Sequence, residues 1–100
     1  MVKHVVMFNF NDVDGCSASE NALVAKKLIL GLEGKVPSLR SIEVGLNELD
    51  SNGAQDLVLI AIFDDFEGLK AYDVHPEHQS VSKHIRATGC ERHAVDFTFY

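Results

Sequence analysis

Imidazoles and phenols are the side chains best suited to moving protons near neutral pH, and three of them cluster in Tyr72-Asp73-Val74-His75-Pro76-Glu77-His78. A histidine can take a proton from a carbon next to a carbonyl. A tyrosine hydroxyl can hold that carbonyl or the enolate it becomes. His75 and His78 also stand at the i, i+3 spacing that can present two ligands to a metal on one helix. No acidic residue completes a recognised set, however, and Pro76 sits between them, so neither a metal nor a cofactor is expected. The same residues have structural uses. His75 is placed to cap a helix opened by Pro76, and His78 to hydrogen-bond across the core or to backbone. His84 and His93 match no site pattern and read as ordinary polar positions. Cys16 and Cys90 stand alone in sequence, without the spacing of a zinc site or a disulfide framework, and read as two reduced thiols.

The elements that must position this cluster follow from periodicity. Residues 2 to 10 hold Val5, Val6, Met7 and Phe8 in one apolar run, which predicts a strand covered on both faces. Ser17 and Glu20 fit a capping box that starts a helix. Ala22, Ala25, Leu28, Ile29, Leu32 and Val36 recur at helical spacing beyond it, with Gly34 and Pro37 as the stop signals. Ile42, Val44 and Leu46 alternate with Ser41, Glu43 and Gly45, as in a half-buried strand. Leu57 to Phe63 is seven apolar residues in succession, a second strand buried on both sides. Asp64 and Glu67 are expected to cap a short helix carrying Phe66, Leu69 and Tyr72. Pro76 then starts another, because proline restricts the residue before it and is favoured in a first helical turn. His78, Val81 and Ile85 share one face of this second helix, and Gly89 ends it. Val95, Phe97 and Phe99 alternate with Ala94, Asp96 and Thr98 in a closing strand.

With 100 residues, 46% of them hydrophobic, the chain is expected to form one domain, residues 1–100, with a packed core. A net charge of −6 and scattered lysines and arginines argue against nucleic acid, which requires a concentrated basic patch. The run from Leu57 to Phe63 is too short to span a bilayer, and the first residues lack the apolar core and cleavage site of a signal peptide. No membrane partner and a cytoplasmic location are therefore expected.

The order strand, helix, strand, strand, broken helix, strand is the βαββαβ arrangement of a ferredoxin-like α+β fold, with a four-stranded antiparallel sheet in the order 4-1-3-2. That order centres the two strands that are apolar on both faces. Helices of the same chain cover one face, and the sheet of a second subunit is the simplest cover for the other. The expectation is a homodimer of two sheets packed as a barrel.

Three segments carry a family resemblance. Val2-Lys3-His4-Val5-Val6-Met7-Phe8-Asn9-Phe10, the stretch from Pro37 to Gly45 followed by Asp56-Leu57-Val58-Leu59, and the Tyr-x-x-His-Pro-x-His signature at Tyr72 to His78 together resemble the stress-responsive A/B barrel (Dabb) domain, over essentially the whole chain. The resemblance implies a dimeric α/β barrel. Its members range from stress proteins without an assigned reaction to a polyketide cyclase. By that likeness, His4, Tyr72 and His78 would be the catalytic group, and His4, Tyr72, His75, His78 and Val81 would line a pocket for a small apolar ligand. A further pocket histidine of the cyclase falls where this chain has Leu57. Three functions follow: a small dimeric protein whose cavity binds an apolar molecule, a cyclase-like or proton-transfer enzyme using His4, Tyr72 and His78, and a purely structural assembly.

Overall fold

The computed structural model describes residues 1–100. Its elements are β1 (Val2–Asn9), α1 (Ala18–Leu30), β2 (Ser41–Leu46), β3 (Leu57–Phe63), α2 (Phe66–Val74), α3 (Pro76–Arg86) and β4 (Glu91–Thr98). The strands form one antiparallel sheet in the order β2-β3-β1-β4, so β1 and β3 occupy the centre as their sequences require. This is the ferredoxin-like fold expected from the pattern.

Directly paired residues of antiparallel strands share a face. One face presents Val2, His4, Val6 and Phe8 of β1 beside Leu57, Leu59, Ala61 and Phe63 of β3, all buried beneath the helices. They join Ala22, Ala25 and Ile29 of α1, Leu69 and Tyr72 of α2 and Ile85 of α3 in a single core.

The opposite face carries Val5, Met7, Val58, Ile60, Ile62, Val95 and Phe97, and no element of the chain lies over it. Met7, Val95 and Phe97 are exposed there, and the rest are half-buried by their neighbours. The alternation in β4 therefore runs opposite to that of the central strands. Its apolar residues extend the uncovered face, while Arg92, Ala94, Asp96 and Thr98 lie on the side of the helices.

Local signals explain the helix starts. Ser17 Oγ accepts from the Glu20 amide while Glu20 Oε1 accepts from the Ser17 amide, the reciprocal capping box. Asp12 Oδ1 accepts a further free amide, that of Ala18.

Two boundaries differ from those read in the sequence. α1 ends at Leu30 rather than continuing to Gly34, because the chain tightens at the helix-weak Gly31 into successive turns with i→i+3 bonds from Leu32 to Ile29 and Glu33 to Leu30. These turns, with Gly34 at φ +83°, still deliver Leu32 and Val36 to the core, which is why the helical spacing persisted in sequence beyond the helix itself. The cap of α2 is Asp65, whose side chain accepts from the Gly68 amide, and not Asp64. Asp64 instead forms a two-pronged ion pair with Arg40, at 3.0 and 2.6 Å.

Candidate active site

Pro76 makes the break that shapes the site. The His75 backbone is extended, at φ −67° and ψ 134°, and its amide closes α2 on the Tyr72 carbonyl. α3 then starts afresh with proline in its first turn, where the missing N–H costs nothing. His75 itself is spent on this junction, since its Nδ1 accepts from the Glu77 amide and caps α3. The resemblance placed His75 among the pocket residues, but it does not line the cavity.

Because the helix breaks, Tyr72 and His78 approach the sheet from two directions and their rings meet at 4.1 Å between centroids, tilted by 42°. Tyr72 is held from below by Phe63 at 5.1 Å, and its ring lies edge-on to His4 at 6.3 Å. His4, Tyr72 and His78 thus surround one space. They line a cavity of about 450 Å³ between the sheet, α1 and α3, within the size range of small-molecule sites. Val6, Ile29, Leu32, Leu59 and Val81 supply its apolar walls, and Ser82, Arg86 and Arg92 add polar groups. Leu57, at the position where the cyclase of the family has another histidine, is buried but does not line this space.

His4 is the only polar residue among those fully buried. A buried imidazole needs a partner, and Nδ1 of His4 has one in Oδ1 of Asp96, directly opposite in the β1–β4 pairing. An ionised carboxylate can only accept, so Nδ1 carries the proton and Nε2 keeps the free lone pair in the neutral ring. Asp96 was the residue that the sequence pattern did not single out. The register would have found it: antiparallel pairing of the first strand with the last sets residue 4 against residue 96.

The other two groups are tuned by burial. Burial, reinforced by the charge of Asp73, holds the Tyr72 phenol far above its ordinary value, so the hydroxyl stays protonated and remains a donor. That hydroxyl has no hydrogen-bond partner in the protein. Burial pushes the His78 imidazole down, outweighing a 3.2 Å hydrogen bond to the Asp73 carbonyl that favours the charged ring. The carbonyl can only accept, so Nδ1 of His78 donates and its Nε2 is also a free acceptor. The cavity therefore holds two imidazoles, one anchored by a carboxylate and one kept neutral by burial, beside one fixed phenol donor. That combination can take a proton from carbon while a hydrogen bond stabilises the developing oxyanion.

Residues 2–99 match the family described as Stress Responsive A/B Barrel Domain. The chain belongs to this family. An uncharacterised protein of Streptomyces coelicolor is 33% identical over 81 residues, which cover 80% of this chain and 81% of that protein. A dimeric protein of unknown function and ferredoxin-like fold from Bacteroides fragilis superposes with a TM-score of 0.79 at 36% identity, covering 98% of this chain and 95% of that one. A dimeric ferredoxin-like protein of unknown function from Thermobifida fusca gives a TM-score of 0.83 at 23% identity, over 98% of this chain and 90% of the other. As a Dabb domain the chain shares its fold with relatives that are dimeric. Fold alone assigns no reaction, which has to be read from the site.

Proposed function

We propose that the cavity binds a small, largely apolar carbonyl compound and moves a proton on it. His4 is the base: Nε2 takes the proton from the carbon next to the carbonyl. Asp96 is a positioning residue that fixes the tautomer of His4 and stabilises the imidazolium that forms, the role a carboxylate plays behind a catalytic histidine elsewhere. Tyr72 donates its hydroxyl to the carbonyl oxygen as charge develops there. His78 closes the cavity as a second imidazole and is available to accept or return a proton. The carrying observation is the buried His4, held by the partly exposed Asp96, lining a cavity that also holds the unpaired hydroxyl of Tyr72.

The experiment is solvent deuterium exchange at C2 of ethyl benzoylacetate, followed by NMR. The wild-type protein should accelerate exchange above an equal concentration of free imidazole. His4→Ala should return the rate to that background, and Tyr72→Phe should lower it by about 10²–10³-fold. Exchange no faster than with imidazole alone would leave a binding protein without turnover.

We further propose that the uncovered sheet face pairs with that of a second copy. Support comes from the dimeric relatives and from the continuous apolar surface formed by Val5, Ile60 and Val95 across three strands.

A further inference from the structure

The proton-transfer reading uses the floor of the cavity and leaves its mouth idle. The chain has three arginines. Arg40 is paired with Asp64 far from the cavity, and the other two, Arg86 and Arg92, both line it. They arrive from different elements, Arg86 in the last turn of α3 and Arg92 on β4 opposite Phe8. Neither has a carboxylate within ion-pairing distance: Asp96, on the same face as Arg92, is taken by His4, and Glu91 lies nearest His93. In a chain of net charge −6, carboxylates are abundant, yet both guanidinium groups at this mouth stand without one. The charge of Arg92 nonetheless reaches inward, acting on both Tyr72 and His78. His78, Ser82 and Arg86 also face an adjoining polar shelf that includes Lys83 and one carboxylate, that of Asp73, which does not ion-pair with Arg86.

We propose that the occupant of this cavity is an amphiphilic anion, whose carboxylate or phosphate head group is held by Arg86 and Arg92 while its apolar body lies against Val6, Ile29, Leu32 and Leu59. This rests on the cavity being a ligand site, as proposed above, and adds the chemical class of the ligand. Guanidinium forks match the oxygen pairs of carboxylates and phosphates, and unlike lysines they keep their charge in any surroundings. An anion at the mouth would also fix which end of the ligand reaches His4 and Tyr72.

Calorimetric titration at low salt with 4-phenylbutyrate, 4-phenylbutyl phosphate and the neutral 4-phenylbutanol tests this. At least one anion should bind about tenfold or more tightly than the alcohol, with affinity falling as salt rises. The order of the two anions then tells a carboxylate site from a phosphate site. In the Arg86→Gln, Arg92→Gln double variant the preference should vanish while the affinity for the alcohol is kept. Because both arginines are solvent-exposed, the variant should fold normally, which circular dichroism checks. Equal binding of alcohol and anions, or a preference that survives in the double variant, would overturn the inference and leave the ligand site standing. Binding of none of the three would remove both.

Discussion

Oδ1 of Asp96 accepts from Nδ1 of His4 across a strand pair whose members are 92 positions apart in sequence. The contact ties the two ends of the chain together beside the cavity that His4 lines. It also decides which nitrogen of His4 is free to act as a base.

Asp96→Asn should therefore be far more harmful to activity than to folding. An amide in place of the carboxylate can offer its N–H to Nδ1, moving the ring proton to Nε2 and leaving no base toward the cavity. Proton exchange should fall by about 10²–10⁴-fold. The loss of stability should be about 1–3 kcal/mol, that of a weakened hydrogen bond to the buried His4. Exchange kinetics and urea unfolding on the same preparation separate the two effects. Near-wild-type exchange in Asp96→Asn would remove His4 as the base.

The fold was legible because its signals are local or periodic. Two uninterrupted apolar runs marked the central strands, Ser17 and Glu20 marked the start of α1, and Pro76 marked the helix break. The site was legible only in part. His4, Tyr72 and His78 stand in segments with a recognisable order, whereas Asp96, Arg86 and Arg92 sit in stretches whose polarity reads as an ordinary solvated surface. The face of β4 that meets the site depends on which side the apolar residues Val95 and Phe97 are turned. Alternation shows that a strand has two faces, not which face the helices take. The end of α1 is hidden in the sequence for a related reason: Leu32 and Val36 keep helical spacing because both reach the core, and turns deliver them as well as a helix would.

His78 should make stability depend on pH in a defined direction. Its folded value is depressed, so the unfolded chain gains a proton that the folded chain refuses as pH falls through the ordinary histidine value near ~6.5. The contribution of the neutral, half-buried ring is intact above that pH and is lost as pH falls toward the folded value. Urea unfolding of wild type and His78→Gln at pH 7.5 and 5.5 should show a larger acid destabilisation in the wild type. An equal drop in both proteins would mean that the ring is not held neutral by burial.

His75 and His78, three residues apart, should behave as different kinds of residue. His75→Ala removes the cap of α3 and should cost about 0.5–2 kcal/mol while leaving ligand affinity in place. His75→Asn, which keeps a side-chain acceptor at the cap, should restore most of that stability. Weakened ligand binding in a folded His75→Asn protein would put His75 back in the pocket.

Ile60→Asp should separate the subunits without touching the site. Ile60 lies opposite Val5 in β1, and Val5 lies opposite Val95 in β4, so the three form one apolar row across the uncovered face. Ile62 and Phe97 flank it on the next row, with Lys3 between them reaching over the Phe99 ring at 4.6 Å. In a dimer built on this face, a carboxylate at position 60 would be buried without a counter-ion. That cost is large enough to outweigh the association of two small sheets. In a monomer the same carboxylate would meet water and cost little. Sedimentation at micromolar concentration should give a dimer for the wild type and a folded monomer for Ile60→Asp. Leu23→Asp, on the exposed surface of α1, should stay dimeric as the control. A wild-type monomer under these conditions, or an Ile60→Asp dimer, would place the contact between copies elsewhere or remove it.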